Sequence, residues 1–127
     1  MPVVAVINSN ADTVEMLRLT LQEYGFESVT AHIDDIKRGS LDFPRLLREH
    51  DPVAIIYDVP PPYDQNWTFL NLLRTVDAVR GRAVVVTTTH KENLEKMVGP
   101  TDAIEIIGKP YDLEQIIRAV QRALERG

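Results

Sequence analysis

The stretch Val53-Ala54-Ile55-Ile56-Tyr57-Asp58 combines a continuous apolar run with a carboxylate at its end. Strands that are covered on both faces have such uninterrupted runs, and they are typical of parallel sheets. Three consecutive prolines, Pro60–Pro62, follow closely, and they lack the N–H groups that a strand needs to continue its ladder. The stretch therefore predicts a buried parallel strand that ends at Asp58.

Apolar runs of the same kind lie on both sides of this stretch and predict a sheet of five strands. The predicted strands are Val3–Ile7, Ser28–Ala31, Val53–Tyr57, Ala83–Val86 and Ala103–Ile107. Amphipathic stretches separate them, and alternating strand and helix patterns indicate right-handed βαβ units. We expect an α/β fold, a three-layer (βα)5 doubly wound parallel sheet with the flavodoxin-like strand order 2-1-3-4-5.

Two helical segments differ in how clearly the sequence defines them. The last one has a regular apolar face behind Asp112, its predicted N-cap, with Gln115 three residues further on. The connection after the second strand is less regular, because His32–Ser40 fits either a loop or a turn of helix. A helix over Phe43–Glu49 is expected after it.

Length and composition exclude several classes of protein. The 127 residues fit one domain spanning 1–127, and 44% hydrophobic residues can form one core. The net charge of −5 argues against a sequence-independent nucleic-acid binder. Cysteine is absent, so disulfides and thiolate metal sites are ruled out, and a cytoplasmic location is expected. The first apolar run stops at Asn8, too early to span a membrane, so no membrane contact is expected.

Polar side chains follow the predicted strands at the edge where ligands bind in open parallel sheets. A carboxylate there can accept a phosphoryl group as a nucleophile, and a hydroxyl and an ammonium can bind its oxygens. These groups stand at Asn8–Asn10, Asp58, Thr87–Thr89 and Lys109-Pro110.

Three motifs in this order resemble the receiver domain of bacterial two-component response regulators over essentially the whole chain. The motifs are Ile55–Asp58 followed by Pro62, Val84–Thr88, and Ile107–Leu113. The resemblance implies that a histidine kinase phosphorylates Asp58. It also implies that Thr88 and Lys109 bind the phosphoryl group and act in the switch, and that Pro110 follows a cis peptide bond.

The chain departs from this family at the magnesium site and at the switch. The resemblance implies a metal held by Asp58, the backbone carbonyl of Pro60 and two acids after the first strand, but Asn8 and Ser9 stand at the acidic positions. Because Mg²⁺ is usually held through carboxylates, these two residues would bind it weakly at best, and Mg²⁺ binding is expected to be weak or absent. The positions of the usual switch aromatic hold isoleucines, Ile106 and Ile107.

The chain has no Gly-rich nucleotide motif, which argues against a nucleotide or flavin enzyme. Two functions remain open, and we expect neither to be enzymatic. Either the domain accepts a phosphoryl group at Asp58, or it is a degenerate receiver that binds proteins independently of phosphorylation. Expected partners are a histidine kinase or phosphotransfer protein, a downstream protein, and a second copy of the chain, but no nucleic acid. Asp12 and His90 are candidates for the rim of the site, and Lys91–Val98 for the partner surface.

Overall fold

Each strand is followed by one or two helices in a computed structural model that describes residues 2–98, 104–108 and 112–126. The strands are β1 (Val3–Asn8), β2 (Glu27–His32), β3 (Ala54–Asp58), β4 (Ala83–Thr88) and β5 (Ile104–Gly108). The helices are α1 (Ala11–Glu23), α2 (Ile33–Lys37), α3 (Phe43–His50), α4 (Tyr63–Arg74), α5 (Lys91–Val98) and α6 (Leu113–Arg126). The predicted βα alternation is confirmed.

The five strands form one parallel sheet in the order β2-β1-β3-β4-β5, which confirms the predicted topology. Strand β3 lies at its centre and pairs with β1 on one side and β4 on the other. In this register Asp58 lies directly opposite Thr87. The carboxyl ends of β1, β3 and β4 therefore meet at one edge of the sheet.

Apolar side chains cover both faces of the sheet, which explains why the strand sequences are continuous rather than alternating. On one face, Val6, Ile56 and Val85 pack with buried residues of α1 and α6. On the other face, Tyr57 and Val86 pack with buried residues of α2, α3, α4 and α5. Since successive side chains of a strand point to opposite faces of the sheet, the position of each polar residue at a strand end determines which face its side chain lies on.

The connection after β2 contains a short helix, so of the two alternatives left by the sequence the helical turn is correct. Helix α2 is capped by His32, whose Nδ1 accepts a hydrogen bond of 3.1 Å from the Asp34 N–H. Helix α3 closely matches its prediction and is capped by Asp42, whose Oδ1 accepts from the Arg45 N–H at 3.1 Å.

Helix α6 has the apolar face that the sequence predicts, with Ile116, Ile117 and Val120 buried. Its predicted capping pair is present in part, because the Asp112 N–H donates to Gln115 Oε1 at 2.8 Å. Across the described ranges, every helix falls short of the length and apolar character that a membrane crossing requires.

Arg82 joins three segments at the edge of the sheet where the strands begin. This edge lies opposite the one where the carboxyl ends of β1, β3 and β4 meet, which we call the polar edge. Its guanidinium donates to the carbonyls of Ala78 and Pro52, both at 2.6 Å, and to the Leu47 carbonyl at 3.3 Å. It also donates to Asp51 Oδ1 at 2.8 Å. This side chain therefore fixes the end of α3 and the start of β3 relative to β4.

Candidate functional site

Asp58 is the central residue of the polar edge, and only 3% of it is exposed. Its Oδ1 accepts a hydrogen bond of 2.7 Å from Thr87 Oγ1 on the adjacent strand. The backbone continues this pairing, because the Val59 N–H donates to the Thr87 carbonyl at 2.8 Å. Strand β4 thus fixes the position of the carboxylate.

The hydroxyl that contacts Asp58 belongs to Thr87, while the expected role of its neighbour Thr88 in binding a phosphoryl group stays a prediction. The pleat of β4 explains this contact: Thr87 shares a face with Val85, and Thr88 shares the opposite face with Val86. Thr88 Oγ1 instead accepts the His90 N–H at 3.3 Å. The alternation of side chains along Val84–Thr88 is readable in the sequence and distinguishes which of the two threonines lies on each face of the sheet.

Asn8 ends β1 on the same edge and is 3% exposed. Its Oδ1 accepts the Asn10 N–H at 2.9 Å, which closes the turn into α1. Asn10 in turn caps α1, because its Oδ1 accepts from the Thr13 N–H at 3.1 Å. Ser9 and Asp12 are both exposed, Asp12 in the first turn of α1. The Asn8 amide oxygen therefore stabilises the loop.

The Pro60 carbonyl, which the resemblance assigns to the metal, is hydrogen-bonded within the protein. Asn66 of α4 donates through Nδ2 to the carbonyls of Pro60 at 2.9 Å and Pro62 at 3.1 Å. Asn66 Oδ1 accepts a hydrogen bond of 2.5 Å from Lys37 Nζ on α2. The sequence alone does not point to Asn66 or Lys37, since nothing in it shows that these two residues, 29 positions apart, meet.

Tyr63 joins the loop after β3 to the loop after β4. Its ring stacks on His90 with centroids 5.0 Å apart and planes inclined by 25°, and its hydroxyl is hydrogen-bonded to Thr89 Oγ1. His90 Nδ1 is paired with Asn93 Nδ2 at 2.9 Å. His90 is thus an exposed ring beside the polar edge, while its predicted role at a pocket rim stays a prediction.

Two predicted site residues, Lys109 and Pro110, lie outside the described residues, as does Ala103 of the predicted fifth strand. The cis peptide bond expected before Pro110 therefore lies outside them too, while the Pro61–Pro62 bond is cis. Ile106 is half-buried against one core cluster and Ile107 is buried in the other. Both isoleucines pack as core residues.

The environment of Asp58 also affects its neighbour Tyr57, which is 1% exposed. Burial raises the pKa of the Tyr57 phenol well above its ordinary value, and the nearby negative charge of Asp58 raises it further. The phenol is therefore neutral at physiological pH. It contributes apolar surface to the core beneath the site.

The oxygens at this edge do not fit a magnesium site of the kind the resemblance implies. Mg²⁺ is usually bound through carboxylates and loses water reluctantly. Here the Asn8 amide oxygen and the Pro60 carbonyl accept hydrogen bonds from Asn10 and Asn66. Among the described residues, no three His, Asp or Glu side chains are grouped so that they could hold a metal ion.

Comparison with solved structures identifies the fold. A sensor protein from Polaromonas sp. JS666 matches with a TM-score of 0.76 at 20% identity, over 98% of this chain and 97% of that chain. The chemotaxis protein CheY4 of Vibrio cholerae matches with a TM-score of 0.70 at 24% identity, over 97% and 98% of the two chains. The chain has the fold of response regulator receiver domains.

A third matching structure was determined with a magnesium ion coordinated in its active site cleft. It is the receiver domain of a sensor histidine kinase from Pseudomonas aeruginosa PAO1, with a TM-score of 0.68 at 14% identity over 98% of each chain. No protein-family model matches this chain, and no curated protein matches it either. The predicted receiver fold is therefore confirmed by three-dimensional likeness.

Proposed function

We propose that this chain is a receiver-type signalling domain that works through a protein contact and does not require phosphorylation. The observation that supports this most strongly is the state of the oxygens beside Asp58. The Asn8 amide oxygen and the Pro60 carbonyl already accept hydrogen bonds from Asn10 and Asn66. Each of these oxygens keeps a second lone pair, but both are neutral and already accept one hydrogen bond, so magnesium would bind here without the charge compensation that additional carboxylates provide.

A weak magnesium site would also disfavour phosphoryl transfer to Asp58. A divalent cation neutralises the charge that develops on the oxygens of a transferring phosphoryl group. With Asn8 and Ser9 in place of acids, the chain offers Asp58 as the carboxylate of this set. We therefore expect Mg²⁺ to bind weakly or not at all, and Asp58 to be a poor acceptor.

The expected partners are proteins of a two-component system. A histidine kinase or phosphotransfer protein can dock on the domain, and a downstream protein or a second copy of the chain can receive the signal. Helix α5 is a candidate surface, because its described side chains combine exposed Lys91, Glu92, Glu95 and Lys96 with exposed Met97. Mixed charges of this kind favour a specific protein contact over a nucleic-acid groove.

A second candidate function is phosphorylation of Asp58 by a histidine kinase, with the signal carried by the phosphorylated form. The contact of Asp58 with Thr87 supports it, because a hydroxyl beside an acceptor carboxylate can bind an oxygen of the incoming group. In this reading Lys109 supplies the cation that binds a second phosphoryl oxygen.

The two functions differ in one measurable product. The chain is incubated with acetyl phosphate and millimolar MgCl₂, and intact-mass spectrometry then detects any added phosphoryl group. The first proposal expects unmodified protein, and the second expects one phosphoryl group that the Asp58→Asn variant does not acquire. Modification of the natural protein, absent in that variant, would contradict phosphorylation-independent signalling.

A further inference from the structure

Lys37 and Asn66 form a contact between α2 and α4 that bears on the loop after Asp58. Lys37 Nζ donates to Asn66 Oδ1 at 2.5 Å and lies 5.6 Å from the centroid of the Phe69 ring. The ammonium is thus held by an amide oxygen and by an aromatic face on the same helix. Cations over aromatic rings gain a modest electrostatic attraction, which adds to the hydrogen bond.

The ammonium determines how the Asn66 amide is oriented. An ammonium can only donate hydrogen bonds, so it must face the amide oxygen, and the NH₂ group must then face the opposite way. That direction leads to the carbonyls of Pro60 and Pro62. Because Asn66 is 5% exposed, water is a poor substitute for these partners.

The loop depends on this amide because prolines occupy Pro60–Pro62. Proline has no N–H group, so this segment cannot donate backbone hydrogen bonds and can only accept them through its carbonyls. The Pro62 carbonyl also accepts the Asn66 backbone N–H at 3.1 Å, as the first turn of α4 requires. The Asn66 side chain therefore gives the Pro60 carbonyl a hydrogen-bond donor from within the protein.

We propose that Lys37 is a positioning residue that acts through Asn66 to keep the Pro60 carbonyl hydrogen-bonded within the protein, which makes this oxygen a weaker ligand for a metal ion. This inference rests on the proposed function, in which the edge of the sheet at Asp58 binds magnesium poorly. The lack of acids is one cause of weak magnesium binding, and this contact is a second cause. The Lys37 ammonium polarises the Asn66 amide, which strengthens the hydrogen bond from Asn66 Nδ2 to the Pro60 carbonyl. Asn66 carries the effect between Lys37 and the loop.

The first test measures the two hydrogen bonds that connect Lys37, Asn66 and Pro60, which we call the clamp, and it is independent of any metal. In the Lys37→Met variant, which keeps an apolar side chain over Phe69, the Asn66 side-chain NH₂ should exchange with solvent faster by about three- to tenfold, the ratio for one net hydrogen bond. Lys37→Arg should restore slow exchange, because it retains a cationic donor. Arg38→Met is the matched control, since Arg38 pairs with Asp35. Unchanged exchange in Lys37→Met would overturn the proposal.

The second test measures magnesium in a background that has the missing acids. In the Asn8→Asp, Ser9→Asp variant, adding Lys37→Met should tighten Mg²⁺ binding, followed by Trp67 fluorescence, by about three- to tenfold. Adding Arg38→Met should leave it unchanged. Faster exchange without tighter binding would overturn the link to the metal. Millimolar Mg²⁺ binding by the natural protein would instead contradict the proposed function, while the exchange result would still decide whether the clamp exists.

Discussion

The hydroxyl of Thr87 donates a hydrogen bond of 2.7 Å to the Asp58 carboxylate, and both residues are almost fully buried. The two residues are direct partners in the ladder between β3 and β4 and point to the same face of the sheet. The contact is therefore built into the strand register rather than into a mobile loop. Burial strengthens it, because a hydrogen bond to a charged group is worth more away from water.

The first prediction separates the two threonines at the end of β4. Thr87→Val preserves shape but removes the donor to Asp58, so the free energy of unfolding should fall by about 1.5–3 kcal/mol. Thr88→Val removes a weaker bond, from the His90 N–H at 3.3 Å, and should cost less than about 1 kcal/mol. Urea denaturation of both variants measures the difference. Equal losses would show that the Asp58 contact contributes nothing specific.

The second prediction concerns Arg82 at the opposite edge. Its side chain is 15% exposed and bonds to three carbonyls and to Asp51, so Arg82→Met should destabilise the fold by about 2–4 kcal/mol. Arg80→Met is the matched control, because Arg80 is 70% exposed and pairs with Asp77 at 3.3 Å. Exposed ion pairs contribute little, so this variant should change stability by less than about 1 kcal/mol. If Arg82→Met also lowered the free energy of unfolding by less than about 1 kcal/mol, the role of Arg82 in fixing α3 and β3 relative to β4 would be contradicted.

The third prediction concerns stability at alkaline pH. Burial and Asp58 raise the pKa of Tyr57 above its ordinary value of 10.0, so the folded state holds this proton more tightly than the unfolded state. The resulting stability is fully present below pH 10 and is lost as pH rises toward the folded pKa. As the pH rises above about 10, the free energy of unfolding should therefore fall less for Tyr57→Phe than for the natural protein.

The control for this pH dependence is Tyr24→Phe, because Tyr24 is 45% exposed. The Tyr24→Phe variant should lose as much free energy of unfolding at alkaline pH as the natural protein does. Identical pH profiles for the natural protein and Tyr57→Phe would show that the Tyr57 phenol does not titrate differently in the two states.

The fourth prediction tests the candidate partner surface on α5. Charge reversal at Glu95 or Lys96, both exposed, should weaken self-association measured by analytical ultracentrifugation if two copies of the chain pair through this face. Reversal at Glu15, which lies on α1 and pairs with Arg18, is the control and should leave self-association unchanged. Self-association that survives both α5 reversals would assign the contact to another surface.

The sequence was sufficient to predict the sheet, because burial on both faces leaves a direct pattern in the strands. Val53–Tyr57 and the flanking runs have the continuous apolar character that helices on both sides require. Helix α2 was ambiguous, since five residues are too few to show a helical period. Its position depends on the cap at His32 and on the packing of Ile33 and Ile36.

The site was predictable only in outline. Strand ends locate Asn8 and Asp58 at one edge, because the carboxyl ends of parallel strands lie together. That Thr87 faces Asp58 follows from the alternation of side chains along β4, which motif matching does not consider. The contact of Lys37 with Asn66 depends on how two helices pack, and no local pattern in the sequence encodes that contact.

The central proposal is that the chain binds Mg²⁺ weakly or not at all because Asn8 and Ser9 stand where the resemblance implies two acids. The most direct test titrates Mg²⁺ while following Trp67 fluorescence, in the natural protein and in the Asn8→Asp, Ser9→Asp variant. Trp67 is 8% exposed and adjoins Asn66 in α4, so it should report changes in the loop after Asp58. We predict no saturable binding at millimolar Mg²⁺ in the natural protein, and saturable binding together with Asp58 phosphorylation in the variant. Saturable millimolar binding by the natural protein, with ready phosphorylation by acetyl phosphate, would contradict the proposal.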